Sequence, residues 1–297
     1  MENNQQQMKF YIVDVFGEEK YSGNQLAVVI ADNAVSPAAM QQIANEFHFS
    51  ETTFVSSEQS GENEFATSIF TPKNEVPFAG HPTLGTAFII RNEIVKRKVP
   101  EVILSLKVGK IPVSFDDASD LQWMSQIEPS FGLIHDAKGI AALINVSPDD
   151  IDTRFPIQNV STGIEFVLIP LKTLGAIKKA STNLSLYKRY FIHGEPKPLF
   201  IFCPETYNKA NRVNCRMFAD AFGIPEDPAT GSANGCLTAY LAKYQYFGTG
   251  QIDMRVEQGF EIGRKSILHL RCRHENERYA IKIGGNVIKI AEGMLVK

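Results

Sequence analysis

The sequence predicts an α+β fold of two similar domains, each a strongly bent, barrel-like β-sheet around one central helix. A chain of 297 residues with 44% hydrophobic content is long enough to bury two cores. Most of its segments have the β-branched and aromatic composition of short strands, with turn residues between them. Two uncharged segments, one in each half, are typical of helices enclosed on all sides.

Strand-like segments fill the first half of the chain and then recur after a break. In the first half they are KFYIVDVF (9–16), LAVVIA (26–31), TTFVSS (52–57), EFATSIF (64–70), EVILSLKVGKIPVSF (101–115) and LQWMSQI (121–127). The stretch from Glu128 to Gly132 is predicted to be a linker. The pattern restarts at RFPIQNVS (154–161) and continues to NVIKIAEGMLV (286–296). We therefore predict domains 1–128 and 129–297, with a last strand, about 286–297, free to return to the first domain.

The two uncharged segments, PTLGTAFII (82–90) and ANGCLTAYLA (233–242), lie at corresponding places in the two halves. Their surroundings, EVPFAGHPTLGTAF (75–88) and EDPATGSANGCLTA (226–239), align without a gap at an offset of 151 residues. Three residue types coincide in this alignment, at Glu75 and Glu226, Pro77 and Pro228, and Gly80 and Gly231. This repeat predicts a duplicated fold.

The starts of these helices are candidate anion sites. Pro82 is predicted at a first helical position and Ser232 at an N-cap. If the two halves face each other, two helix N-termini with free amides point into one cleft, which suits a carboxylate. The alternative is that His81 and Ser232 are ordinary capping residues.

Composition excludes several classes of function. The formal net charge of −3 gives no reason to expect a nucleic-acid partner. The start MENNQQQMKF has no leader pattern, and no uncharged stretch approaches the roughly 20 residues of a membrane helix, so we expect a cytoplasmic protein. The four cysteines show no C-x-x-C spacing and are predicted to be buried, reduced thiols.

Four segments together make the chain resemble a known family. They are DVFGEEKYSGNQLAVV (14–29), NEFHFSETTFV (45–55), FTPKNEVPFAGHPTLGTA (70–87) and EDPATGSANGCL (226–237), and they resemble the phenazine-biosynthesis PhzF-like isomerases. The resemblance implies the diaminopimelate-epimerase-like fold, an active site in a cleft between the domains, a small carboxylate-bearing substrate and a homodimer. It implies Glu51, His81 and Asp227 as catalytic residues, and Gly80, Gly231 and Ser232 as substrate-binding residues.

The residues themselves are compatible with these roles. If HFSETTFV is a strand, Glu51 shares a face with Phe49 and Thr53, and desolvation there raises a carboxyl pKa toward the operating pH. The alternatives are an exposed strand glutamate at Glu51, a first-turn acid at Asp227 and an N-terminal imidazole at His81. Asn24 is interpreted as an ordinary turn residue and left outside the catalytic set.

Proton transfer by a carboxyl group requires no cofactor. The sequence contains neither G-x-x-x-x-G-K nor a G-x-G-x-x-G at a strand–helix junction, and no cluster with metal-ligand spacing. A racemase that uses paired cysteines is disfavoured because neither helix start contains a cysteine. A racemase or epimerase with other bases, and a non-catalytic small-molecule binding protein, remain open.

Overall fold

The computed structural model describes residues 7–31, 35–192, 194–276 and 278–296. The first six residues, for which no leader is predicted, lie outside the described residues, as does Lys297 at the end of the predicted last strand. As far as residue 125 the helices and strands are β1 (Met8–Val15), β2 (Asn24–Ile30), α1 (Pro37–Phe47), β3 (Thr52–Gly61), β4 (Glu64–Phe70), β5 (Glu75–Val76), α2 (Gly80–Ile89), β6 (Glu101–Leu106), β7 (Gly109–Asp116) and β8 (Leu121–Ser125).

The remaining elements repeat this alternation of strands with few helices. They are β9 (Ser130–His135), α3 (Ala137–Leu143), β10 (Ile157–Ser161), β11 (Glu165–Pro170), α4 (Leu174–Lys179), α5 (Leu184–Tyr190), β12 (Leu199–Cys203), β13 (Val213–Ala219), β14 (Ile224–Asp227), α6 (Gly231–Lys243), β15 (Ile252–Gln258), β16 (Ser266–Glu275), β17 (Arg278–Gly285) and β18 (Val287–Leu295).

The chain forms two compact units. The N-terminal unit comprises Met1–Met124 and Gly284–Lys297, and the C-terminal unit comprises Ser125–Ile283. The chain's last strand, β18, belongs to the N-terminal unit, where it pairs antiparallel with β1 from Met8 opposite Leu295 to Val15 opposite Val287.

Strand pairing in the N-terminal unit follows a fixed succession. β1 pairs antiparallel with β2, and β2 runs parallel to β3. β3 pairs antiparallel with β4, and β4 pairs antiparallel with the short β5. β4 also runs parallel to β6, which pairs antiparallel with β7. The parallel steps require crossovers, which α1 and α2 supply.

The C-terminal unit repeats that succession strand by strand. β10 pairs antiparallel with β11, β11 runs parallel to β12, and β12 pairs antiparallel with β13. β13 pairs antiparallel with the short β14 and parallel with β15, which pairs antiparallel with β16. The predicted fold class, two pseudo-symmetric domains each with a sheet around a central helix, is thus confirmed.

Each unit encloses one uncharged helix. In α2, every residue from Gly80 to Ala87 is buried, and in α6 every residue from Gly231 to Ala242 is buried. α2 contacts β1, β2, β3, β6 and β7, while α6 contacts β10, β11, β15 and β16. The absence of charge in the two sequences follows from this burial, because an unpaired charge there would lose its hydration.

Both helices begin before the predicted positions. α2 begins at Gly80, so Pro82 is its third residue, and α6 begins at Gly231 after the N-cap residue Thr230, so Ser232 is not the cap. Proline at the third position is tolerated because first-turn amides lack acceptors within the helix in any case.

Two further local predictions need correction. β9 begins at Ser130, so the predicted linker from Glu128 to Gly132 is partly strand. β3 begins at Thr52, which leaves Glu51 in the turn that follows α1 instead of within a strand. His48 ends α1 in the left-handed conformation, with φ 55°, and this redirects the chain before β3.

Helices α1, α3, α4 and α5 are not predicted from the sequence, although a capping residue precedes several of them. Ser36 accepts a hydrogen bond from the Ala39 amide, and Pro37 is the first residue of α1. No helix among the described residues is long and apolar enough to span a membrane.

Candidate active site

His81, in the N-terminal unit, is the second residue of α2 and only 5% exposed. Burial lowers the pKa of this imidazole from 6.5 to about 3, and a hydrogen bond with the Gln25 backbone opposes the shift only weakly. The ring is therefore neutral near pH 7. It is neither an exposed side chain nor a charged one.

Glu51 lies directly beside this ring. Its Oε2 is 3.5 Å from His81 Nε2, and its side chain is 15% exposed. The alternative of an exposed strand glutamate is therefore wrong, although the strand that was expected to bury Glu51 begins one residue later. Because the imidazole is neutral, the pair is a carboxyl group against an uncharged ring and not an ion pair.

Asn24, the first residue of β2, approaches the opposite side of the imidazole. Its Nδ2 lies 3.2 Å from His81 Nδ1, and both side chains are buried. An amide nitrogen can only donate, so with this amide orientation Nδ1 accepts and the ring proton resides on Nε2, facing Glu51. Sequence reasoning set Asn24 aside as a turn residue, and only its contact with His81 places it at the site.

Asp227, in the C-terminal unit, ends β14 just before α6 and is 6% exposed. The hydroxyl of Thr230 donates a hydrogen bond to its Oδ2. Thr230 is the N-cap residue of α6, yet its side chain caps no helix amide. The amides of Gly231 and Ser232, the first two helical residues, therefore have no acceptor within the helix and no side-chain cap from Thr230.

Glu226, the acidic neighbour of Asp227, has a structural role. Its carboxylate accepts two hydrogen bonds from the Arg216 guanidinium, at 2.9 and 2.7 Å. The same guanidinium donates to the carbonyls of Ile177 and Ala180, at 2.8 Å each. The two adjacent acids thus contact different partners, because successive residues of a strand point to opposite faces.

The thiols do not form an alternative pair of bases. All four cysteines are free and buried, as predicted. Burial raises the pKa of Cys203 and of Cys236 to about 12, and that of Cys272 to about 11. Cys236 is the sixth residue of α6, beyond its first turn. Within the part of the chain that the structure describes, no group of His, Cys, Asp or Glu is arranged to hold a metal ion.

Comparison with known proteins agrees with this architecture. The chain matches the family described as phenazine biosynthesis-like protein (PhzC–PhzF) over residues 13–293. It is 30% identical to an uncharacterized isomerase of Mesorhizobium japonicum, with 98% of this chain and 99% of the relative aligned. It is also 30% identical to the trans-2,3-dihydro-3-hydroxyanthranilate isomerase of Pseudomonas aeruginosa, with 96% and 98% aligned. The chain belongs to the PhzF-like isomerase family and is itself an isomerase.

Solved structures extend the comparison. The PhzF-family protein of Bacillus anthracis superimposes with a TM-score of 0.88 at 25% identity, covering 98% of this chain and 100% of that one. A probable proline racemase of Agrobacterium radiobacter K84 gives a TM-score of 0.62 at 11% identity, covering 97% and 93%. The second likeness shows the shared fold alone.

The structure therefore groups the predicted residues into two sets. Glu51, Gly80 and His81 belong to the start of α2 in the N-terminal unit, and Asp227, Gly231 and Ser232 to the start of α6 in the C-terminal unit. That the two sets serve one active site stays a prediction.

Proposed function

We propose that this isomerase moves a proton between two carbons of a small carboxylate-bearing substrate, and that Glu51 carries the proton. The observation that supports this most directly is the largely buried Glu51 carboxyl group, 3.5 Å from a neutral, buried imidazole at a helix start. A carboxyl group in such a setting can accept a proton as a base and return it as an acid.

The reaction needs one base that becomes one acid. The Glu51 carboxylate takes a proton from an activated carbon, and the electron pair left behind shifts along the substrate's unsaturated system. The protonated Glu51 then returns the proton to a second carbon, which restores the carboxylate. No redox step is involved, and we propose that no cofactor is needed.

The neutral state of His81 suits it for hydrogen bonding and not for charge. With Nδ1 held by Asn24, its Nε2 proton is available to Glu51 or to a polar group of the substrate. An imidazolium in the same place would stabilise the Glu51 carboxylate and weaken it as a base. We propose that His81 orients the substrate and assists proton movement.

The first-turn amides at Gly80, Gly231 and Ser232 are proposed to bind the substrate carboxylate, because helix starts favour anions. Asp227 is proposed to position the substrate and assist proton movements. The first compound to test is trans-2,3-dihydro-3-hydroxyanthranilate, the substrate named for the Pseudomonas relatives, since its ring bears a carboxylate. A homodimer and a cytoplasmic location stay predictions.

The decisive variant is Glu51→Gln, which keeps shape and hydrogen bonding but cannot cycle a proton. We expect turnover to fall by about 10² to 10⁴, with ligand affinity preserved. Proton NMR in deuterated water measures isomerisation and deuterium exchange together. Glu58→Gln, at an exposed residue of the β3 strand that follows Glu51, is the matched control and should behave as wild type.

Three outcomes contradict the proposal. A Glu51→Gln protein that isomerises or exchanges deuterium at a near wild-type rate removes Glu51 from the role. Binding without turnover of any small cyclic carboxylate, in wild type and variant alike, supports the alternative of a non-catalytic binding protein. A racemase or epimerase with non-cysteine bases would instead invert a stereocentre without moving a double bond.

A further inference from the structure

Gln258, the last residue of β15, holds the whole segment from Asp227 to the first turn of α6. It is fully buried. Its Nε2 donates to the Asp227 carbonyl, at 2.9 Å, and to Thr230 Oγ1, at 3.0 Å. Its Oε1 accepts from the Thr230 amide, at 3.1 Å, and from Asn234 Nδ2, at 2.9 Å.

These contacts fix the direction of a hydrogen-bond chain. Gln258 donates to the Thr230 hydroxyl, which therefore directs its own proton to Asp227 Oδ2. The Gln258 amide cannot be reversed, because its nitrogen would then face the Thr230 amide and its oxygen would face the Asp227 carbonyl. Each donor polarises the next, which strengthens the bond that ends on the Asp227 carboxylate.

The following residue adds a steric constraint on the same segment. Gly259 has φ +76°, and a Cβ there would lie 2.5 Å from the Pro228 carbonyl oxygen and 2.3 Å from that of Arg264. Only glycine permits so close an approach in this conformation. The end of β15 is therefore seated directly against the residue after Asp227.

We propose that Gln258 is a positioning residue of the active site, which orients the Asp227 carboxylate through Thr230. This inference rests on the proposed function of Asp227. Gln258 itself is not proposed to touch the substrate.

Glu257, the preceding residue of β15, provides a matched comparison. It is also fully buried, but it holds a different part of the chain. Its carboxylate accepts from the amides of Tyr207 and Asn208, and from the side chains of Asn211 and Asn214. None of these residues lies between 227 and 234. Loss of either side chain removes several buried hydrogen bonds, but only Gln258 is connected to Asp227.

The first experiment compares Gln258→Met with Glu257→Gln. Both variants should unfold at lower temperature, since each leaves buried polar groups unsatisfied. Gln258→Met should in addition reduce kcat about tenfold, with a smaller change in KM, because a misplaced catalytic group loses rate. Glu257→Gln should keep kcat within about threefold. Equal kcat in the two variants overturns the inference.

A second variant, Gln258→Glu, tests the chemistry without a large change of shape. When ionised, the new side chain cannot donate to Thr230 Oγ1 or the Asp227 carbonyl, and it repels the Asp227 carboxylate. When protonated, it recovers one donor. Its kcat relative to wild type should therefore rise at least about tenfold as the pH is lowered through the pKa of this carboxyl group. A ratio that does not change with pH overturns the inference.

Asp227→Asn separates this inference from the proposed function. If Asp227→Asn is slow and Gln258→Met is not, the positioning role fails and the role of Asp227 stands. If Asp227→Asn has wild-type kcat, the proposed role of Asp227 fails first. If Gln258 acts through Asp227, the double variant Asp227→Asn/Gln258→Met should have the same kcat as Asp227→Asn alone. A double variant whose loss of kcat is the product of the two single losses contradicts the inference.

Discussion

The starts of α2 and α6 are equivalent in chain topology and different in chemistry. Each follows a short strand, β5 or β14, that pairs with the preceding long strand of its own unit. At α2, the buried neutral ring of His81 lies between Asn24 and Glu51. At α6, Asp227 is held by Thr230 and, through it, by Gln258.

This difference indicates how a duplicated fold acquires separate roles. The repeated scaffold supplies a buried helix start, with amides that suit an anion, in both units. The side chains that surround each start differ between the two units. The N-terminal unit places a carboxyl group beside a neutral imidazole, and the C-terminal unit places a carboxyl group in a polar network. We expect proton transfer to depend mainly on the first.

The two carboxylates provide the most direct way to break this comparison. Glu51→Gln should cost about 10² to 10⁴ in turnover, and Asp227→Asn a smaller factor of about 10 to 10². The reason is that only Glu51 is proposed to hold the migrating proton. Single-turnover NMR in deuterated water measures both variants. A larger loss for Asp227→Asn reverses the assignment of roles.

The glycines inside the two helices should differ in their tolerance of a methyl group. A Cβ at Gly85 would lie 2.6 Å from Leu26 Cδ2 and 2.9 Å from Val15 Cγ2, within the packed core. A Cβ at Gly235 would lie 2.8 Å from Gln126 Oε1 and 3.0 Å from both Gln126 Cγ and Thr162 Oγ1, which belong to polar side chains and not to the packed apolar core. Gly85→Ala should therefore destabilise by about 1–3 kcal/mol, whereas Gly235→Ala should stay within about 1 kcal/mol.

Urea unfolding of the two alanine variants measures this difference. Far-UV circular dichroism before unfolding serves as the control for an intact fold. Equal stability of the two variants would mean that the residues around Gly85 and Gly235 accommodate a methyl group equally well.

Acid should destabilise the protein through His81. Its folded pKa of about 3 lies below the ordinary 6.5, so between these values the unfolded chain binds the extra proton. The contribution of neutral His81 to the free energy of unfolding is fully present above about pH 6.5 and is lost as the pH falls. This loss amounts to about 2 kcal/mol between pH 7 and pH 5. Between pH 7 and pH 5, the free energy of unfolding of His81→Asn should therefore fall by about 2 kcal/mol less than that of wild type.

Urea midpoints of wild type and variant at the two pH values test this prediction. The control is His48→Asn, because His48 is exposed and asparagine also tolerates its left-handed conformation. If His81→Asn is as acid-sensitive as wild type, the His81 imidazole of the wild-type protein is not held neutral.

The smallest expected effect concerns anion binding at α6. Pro82, the third residue of α2, has no amide to donate, whereas Ala233 at the third position of α6 has one. Ala233→Pro copies the N-terminal arrangement and should weaken benzoate or sulfate binding about tenfold, the effect of one charge-assisted hydrogen bond. Calorimetric titration measures the affinity, and Tm checks that the proline is accommodated. Unchanged affinity would show that the Ala233 amide does not bind the anion.

Local sequence signals predicted some elements well and others poorly. The two uncharged helices were predicted because enclosure on all sides excludes charge over the whole length of a helix. Their first residues were misplaced by two, at Pro82 and at Ser232, because proline and serine are favoured at several positions near a helix start. Helix α1 was missed despite its Ser36–Pro37 start.

By itself, the sequence determined the fold class and the two central helices, because burial and chain composition leave local patterns. Its resemblance to the PhzF-like family is what implied Glu51, His81 and Asp227 as candidates. Tertiary structure decided that His81 is neutral, that Asn24 contacts it and that Gln258 supports Asp227. These facts depend on desolvation and on contacts between residues far apart in the chain, such as the 57 positions between Asn24 and His81. No local pattern encodes such distances, since they arise only when strands and helix are packed together.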